Sequence, residues 1–300
     1  MLPPVMAGVD GSAESLAAAE WAAREAIRRD RPLRLLHVWN RHPGQDGPEP
    51  VTTAERHLAR RALRQARERV LALSPGVRCE DEQIEGPATA ALLHAAEDTD
   101  LLVLGSRGLS GVTGFLVGSV ALGVTARATR PVVLVRADER AADEHFPAPD
   151  GGDSTRTGYR DVVLGVDLGD PCDEVMEFAF EAARTREARL HVVHAWQPPA
   201  PIGLGPGEIA LLNGPQRAEE WQGFLTAVLQ VWREKYPGVD VVETVAEGRA
   251  QSALLRASSG AGLLVVGRHL TDRTVGPRIG PVAHAAIHYV GCPVAVVPHL

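Results

Sequence analysis

Lysine is nearly missing from this 300-residue chain: among 31 basic residues only Lys235 is lysine, and it falls in a predicted helix far from any glycine-rich loop. A Walker-type site needs a GxxxxGK[ST] run whose lysine reaches the terminal phosphates, so that machinery is excluded. The Ser-Gly-Gly-x-Asp and His-x-Gly-His signatures of adenylyl transfer are missing too. Cysteine is scarce. Cys79, Cys172 and Cys292 are odd in number and widely spaced, which fits neither a disulfide framework nor a metal knuckle and points to a reducing cytosol. Positive charge is not in excess either. The net charge is −7, and residues 1–138, with 17 arginines against 17 acidic residues, sum to zero. That is not the basic footprint of a nucleic-acid binder.

Long hydrophobic runs are also lacking. Gly108 to Ala126 holds 19 residues without a charge, but five of them are glycine and Ser110, Thr113, Ser119 and Thr125 interrupt the rest. This reads as a loop entering a helix and not as a membrane span. The first residues show no basic region ahead of an apolar stretch, so no secretory signal is expected and the predicted location is cytoplasmic.

What the chain does contain is a repeat. Val5-Met-Ala-Gly-Val-Asp10 matches Val162-Val-Leu-Gly-Val-Asp167 at an offset of 157, which also carries His37-Val38-Trp39 onto His194-Ala195-Trp196. Further on the offset becomes 162, so that Glu85-Gly86 meets Glu247-Gly248, Gly105 meets Gly267 and Pro131-Val132 meets Pro293-Val294. The five extra residues are expected in the Pro/Gly-rich stretch from Pro198 to Pro215. Two domains are predicted, 1–138 and 160–300, joined by an exposed linker over 139–159 that is rich in Asp, Glu, Gly, Pro and Ser.

In the first copy, apolar runs at Val5–Val9, Leu33–Trp39, Val77–Ile84, Leu101–Leu104 and Val132–Val135 predict strands. Between them, Ser12–Arg29, Thr52–Leu73, Pro87–Glu97 and Ser119–Ala128 predict helices, the second with an apolar stripe of Leu58, Ala62, Ala66, Val70 and Leu73. The strands lack strict alternation, as in a parallel sheet covered on both faces. Strands and helices in turn predict an α/β, doubly wound domain whose ligand sits beyond the carboxyl ends of the strands.

One loop at that end carries an anion-binding pattern. Gly105 ends a buried strand, Gly108 follows, and Gly118-Ser119 opens the next helix. Glycine permits close approach of the backbone to an anion, and the first amides of a helix have no internal partner. Ser119 adds a hydroxyl and Arg107 a charge. A tight turn with a capped helix is the plainer alternative. Asp10 precedes Gly11-Ser12 at the end of the first strand and is expected either to cap a helix or to contact a nucleoside or a phosphate-bound metal. Val38 would offer backbone groups to a base edge, whereas His37 is expected to be packed.

Val-Met-Ala-Gly-Val-Asp10-Gly-Ser together with Gly105-x2-Gly108-x9-Gly118-Ser119 resembles the universal stress protein family, in its tandem, ATP-binding branch. The resemblance covers essentially the whole chain. It implies Rossmann-like domains, each a five-stranded parallel sheet of order 3-2-1-4-5, that hold ATP, usually with a divalent metal such as Mg or Mn. Matching positions imply contacts to ATP from Asp10, Val38, Leu104, Gly105, Gly108, Gly118, Ser119 and Val120. The resemblance also implies that Val132–Val135 pairs with Val294–Val297 to form an intramolecular pseudo-dimer; a further homodimer is left open.

The second copy departs from the pattern. Leu270 replaces Gly108, Pro281 replaces Ser119, and Leu168-Gly169 replaces Gly11-Ser12, while Arg268, His269, Arg273 and Arg278 enrich its loop in positive charge. Proline at a helix start removes an N–H and here a hydroxyl as well. ATP is therefore expected in the first half, with the second as a structural or regulatory partner. No catalytic residue is nominated, and slow hydrolysis of bound ATP remains an alternative. So does a nucleotide-independent interaction module: Arg56, Arg60, Arg64 and Arg67 line one helix face and would suit an acidic protein partner, though a solvated face is the simpler reading. Gly203-Leu-Gly205-Pro-Gly207 lacks a preceding strand and is not read as a dinucleotide fingerprint. Trp39 and Trp196 are expected at a site mouth or between domains.

Overall fold

The computed structural model describes residues 2–39, 50–106, 117–198, 214–270 and 279–300. The first repeat runs β1 (Val5–Gly8), α1 (Ala13–Arg28), β2 (Leu33–Trp39), α2 (Pro50–Leu73), β3 (Cys79–Glu85), α3 (Ala88–Ala96), β4 (Leu101–Ser106), α4 (Ser119–Thr125) and β5 (Val132–Arg136). The second repeats the series as β6 (Val162–Gly165), α5 (Asp173–Arg186), β7 (Leu190–Trp196), α6 (Gly214–Lys235), β8 (Val241–Glu247), α7 (Ala250–Ala257), β9 (Leu263–His269), α8 (Pro281–Tyr289) and β10 (Val294–His299).

All ten strands form one sheet in the order β3-β2-β1-β4-β5-β10-β9-β6-β7-β8. Each half is parallel and has the expected order, and the halves meet antiparallel, with Val132 opposite Val296 and Leu134 opposite Val294. The pairing of last strands holds. Alternate residues of the central strands feed two apolar layers: Val5, Ala7, Leu101 and Val103 face α1, while Met6, Leu102, Leu104 and Val132 face α3 and α4. Both layers cross the junction, taking in Ala295 and Val297 on one face and Val294 and Val296 on the other. With both faces covered, both sets of positions are mostly apolar, so the strands do not alternate.

Three expectations are corrected. β3 is not buried on both faces: it is an edge strand whose Glu80, Asp81, Glu82 and Glu85 are exposed, charges that discourage pairing with another sheet. The buried stripe of α2 is Ala59, Ala62, Leu63, Ala66 and Val70, and Leu58 and Leu73 point to solvent. The helix is rotated so that its small residues face the sheet.

The linker between the repeats, expected to be exposed, buries Glu139, Glu144 and His145. The reason is charge. Glu144, in a 3-10 turn at Ala141–Glu144, pairs with Arg24 at 2.7 Å and with Arg28. Arg28 also bonds Glu25 at 3.1 Å, and Glu25 accepts from Arg29 at 2.7 Å and from Arg186 of the other repeat at 2.5 Å. These arginines hold the Glu25 carboxyl far below its usual range despite complete burial, and the ion network ties the linker and α5 to α1.

Candidate functional site

A cleft of about 530 Å³ opens at the carboxyl ends of β1, β2 and β4, where the doubly wound order reverses. β1 delivers Asp10, β2 delivers Val38, β4 delivers Leu104 and Gly105, and the start of α4 delivers Gly118, Ser119 and Val120. Seven of the nine residues expected from the sequence thus share one cavity; Arg107 and Gly108 lie outside the described residues. The size falls within the usual range of small-ligand pockets.

Asp10 occupies a turn tied down by hydroxyls. Its Oδ1 accepts from the Ser12 amide at 2.9 Å and from the Ser12 hydroxyl at 2.6 Å. Ser12 also caps α1 by accepting from the Ser15 amide at 3.2 Å, and Ser15 Oγ accepts from the amides of Asp10 and Gly11. Burial opposes the Asp10 charge, but the bonds from Ser12 and Ser15 outweigh it and hold the carboxyl below its ordinary value. Asp10 therefore does not itself cap α1: it braces the Ser12 cap through one oxygen, and it lines the cleft. Ser15, Glu14, Leu36 and Leu92 also line the cavity and were not singled out from the sequence. The Ser12-x-x-Ser15 spacing at a helix start was the available signal for Ser15; the others carry none.

The glycines act in different ways. A Cβ on Gly105 would sit 2.5 Å from the Glu14 carbonyl carbon, so this glycine lets α1 pack against the end of β4. Gly118 has φ −56° and ψ 146°, open to any residue, and among the described residues a Cβ there would meet nothing within 4 Å. Among the described residues its side-chain position is open. Neither glycine is needed for a positive φ. His37 is half-buried, and desolvation lowers its pKa against the opposing pull of the Val9 carbonyl and Asp10. It is not among the lining residues.

The second repeat forms its own cleft, about 370 Å³, in which Gly165, Asp167, Val193, Ala195, Val266, Gly267 and Gly280 take the places of their counterparts. The chemistry differs. Ser12, Ser15 and Ser119 become Gly169, Cys172 and Pro281, so three hydroxyls are gone. Asp167 keeps one of the turn bonds, from Gly169 N at 2.9 Å. Cys172 donates to Glu174 at 2.8 Å, and burial with that carboxylate pushes its thiol up to about 11. His269 and His299 line the cleft with ring centres 5.4 Å apart. Leu270 is not among the lining residues, and its amide bonds the His299 carbonyl at 2.6 Å. Arg273 and Arg278 lie outside the described residues.

Other expected features settle elsewhere. Trp39 and Trp196 are buried on β2 and β7, outside both clefts and away from the β5–β10 junction, and Arg56 stacks over Trp39 at 5.3 Å. Arg67 pairs with Asp81 of β3 at 2.5 Å, and Arg60 and Arg64 are exposed, as on a solvated face. Among the described residues no cluster of three or more metal-ligating side chains occurs, and no helix is long and apolar enough to cross a membrane.

Comparison with known proteins places this architecture. The universal stress protein family model matches residues 1–136 and again 158–298. A universal stress protein of Mycolicibacterium smegmatis is 31% identical over 308 aligned positions, covering 98% of this chain and 96% of that one. One from Mycobacterium tuberculosis H37Rv is 30% identical, covering 97% and 96%. Among solved structures, a universal stress protein from Archaeoglobus fulgidus superposes with a TM-score of 0.70 at 18% identity, covering 98% of both chains, which speaks to the fold. The chain belongs to the universal stress protein family and carries two of its domains in tandem.

Proposed function

We propose that the N-terminal cleft binds ATP and that the protein is a nucleotide-dependent regulator or sensor in a stress response. The observation that carries this reading is the convergence of Asp10, Val38, Leu104, Gly105, Gly118, Ser119 and Val120 on one cavity from four separate elements. The base would lie against Val38 and the apolar wall, and the phosphates at the start of α4, where Ser119 and the first-turn amides donate. Arg107 and Gly108 complete the proposed set. Asp10 and Glu14 put two carboxylates on the same cavity, so a polyphosphate there calls for a divalent cation such as Mg or Mn, which would offset the repulsion. Ser12 and Ser15 keep Asp10 ionised and oriented for that role. The second domain, short of three hydroxyls, acts as the structural or regulatory partner.

A calorimetric titration with MgATP, read for stoichiometry, tests the proposal. One ATP per chain is expected. Two would show that Gly169, Cys172 and Pro281 do not disable the second cleft. No binding at millimolar ATP would replace the proposal with a nucleotide-independent interaction module.

A further inference from the structure

Because β5 and β10 run antiparallel, the carboxyl ends of β9 and β10 lie beside the start of β5 and the α4–β5 connection before it. Arg268, which follows Gly267 in β9, crosses into the other half at this point. It is 5% exposed and donates Nη1–H to the Ala126 carbonyl at 3.2 Å and Nη2–H to the Ala128 carbonyl. The Ala126 and Ala128 amides bond the Leu122 and Val124 carbonyls, so both acceptors of Arg268 belong to the terminal turns of α4. Ser119 and Val120, at the other end of this seven-residue helix, wall the N-terminal cleft. Anchor and wall are about 10 Å apart on one short rigid piece.

The charge of Arg268 makes the anchor specific. Burial disfavours a guanidinium, and among the described residues no carboxylate pairs with it. Carbonyls at a helix C-terminus present partial negative charge, which suits a buried cation. The repeat places Ser106 at the matching position of the first half, so no arginine stands there. Arg136 of β5 makes a looser return contact, its Nη2 donating to the His288 carbonyl of α8 at 3.5 Å. The neighbours of Arg268 in the chain, Gly267 and His269, both line the second cleft.

We infer that Arg268 is a positioning residue through which the C-terminal domain sets α4 and, with it, ligand affinity in the N-terminal cleft. The affinity part rests on the ATP reading above; the mechanical part does not. Occupancy of the second cleft bears on the same strand end, and by linkage each cleft then alters the affinity of the other by one common factor.

Arg268→Met keeps the aliphatic stem and removes the donors; Arg268→Lys keeps the cation. Hydrogen exchange of the full-length protein, without nucleotide, should show faster exchange confined to residues 119–128 in Arg268→Met. Arg136→Met should leave that segment at the wild-type rate. MgATP affinity in Arg268→Met should fall about tenfold, the usual scale of coupling between sites, and Arg268→Lys should recover part of it. Wild-type exchange in α4 of Arg268→Met overturns the inference, as does acceleration spread evenly over both domains, which marks a purely structural arginine. Faster α4 exchange with unchanged MgATP affinity overturns the link to the cleft. Should the wild type bind no ATP, the functional proposal fails, and the exchange measurement still decides whether Arg268 holds α4.

Discussion

Gly118→Ala separates a glycine needed by the fold from one needed by a ligand. In the apo protein the exchange should cost almost nothing. The backbone at φ −56° and ψ 146° is ordinary for alanine, and the new methyl meets no atom of the described residues within 4 Å. Restricting the unfolded chain stabilises by about 0.4–1 kcal/mol. Against this, alanine is a poorer N-cap than glycine by a comparable amount. The net change should stay within about 0.5 kcal/mol, readable from chemical denaturation midpoints at constant slope. The methyl would stand at the start of α4, where the phosphates are proposed to approach, and should weaken MgATP binding at least about 100-fold, or about 2.7 kcal/mol. Gly105→Ala should behave in the opposite way. Its Cβ would lie 2.5 Å and 2.7 Å from the Glu14 carbonyl carbon and oxygen, atoms that move only with α1 itself. Overpacking of this kind costs about 1–3 kcal/mol before any ligand is added. Unchanged MgATP affinity in a stable Gly118→Ala protein would refute the placement of phosphates at α4. A loss of 2 kcal/mol in the apo form would refute the claim that its side-chain position is open.

Three further perturbations test the rest of the design. Burial, followed by Glu144 and Asp143, pushes the Glu139 carboxyl up from 4.5 to about 8. A carboxyl raised on folding binds its proton more tightly in the native state, so its contribution is intact below about pH 4.5 and is lost as pH rises through 8. Glu139→Gln should therefore match wild type near pH 4.5 and exceed it by about 4–5 kcal/mol at pH 8.5 in denaturant titrations, and parallel curves at the two pH values would reject this. Arg186→Met removes one of three arginines from buried Glu25, and with it the direct bond between α5 and α1; a loss of about 3 kcal/mol is expected, against under 1 kcal/mol if the pair is idle. Restoring the lost hydroxyls together, as Gly169→Ser, Cys172→Ser and Pro281→Ser, should raise calorimetric stoichiometry from one MgATP towards two. A stoichiometry still at one would assign the deficit to the loop beyond Leu270.

The doubling of the chain, the strand ends and the cleft residues were legible because each is encoded locally or by the repeat offset. Val5–Val9 and Val162–Val166 are apolar runs ending in aspartate, and such runs become central strands whatever surrounds them. The burial of Glu144 was not legible. Its partners Arg24 and Arg28 lie 120 and 116 residues away, and a Pro/Gly/Asp-rich segment reads as solvated until the two repeats are docked. The α2 stripe failed for a related reason. Alanine carries so little apolar signal that Leu58 and Leu73 outweighed Ala59 in the pattern, whereas the sheet accepts the face that lets the helix come closest.

The contrast between the clefts rests on a position that the repeat exposes but motif reading passes over. Ser15 and Cys172 are equivalent at an offset of 157. In the first half the Ser15 hydroxyl accepts two amides and donates to the Ser12 carbonyl, closing the turn that holds Asp10. In the second half a thiol, a weak donor and weak acceptor, turns to Glu174, and Asp167 keeps a single amide from its turn. Both halves retain the aspartate, so its presence alone cannot decide whether a cleft takes an anion or a metal-bound phosphate. The clefts differ in how many donors hold the carboxylate in place: two at Asp10, the amide and the hydroxyl of Ser12, and one at Asp167. The first cleft thus keeps an oriented carboxylate, and the second keeps its shape with little of the polar support.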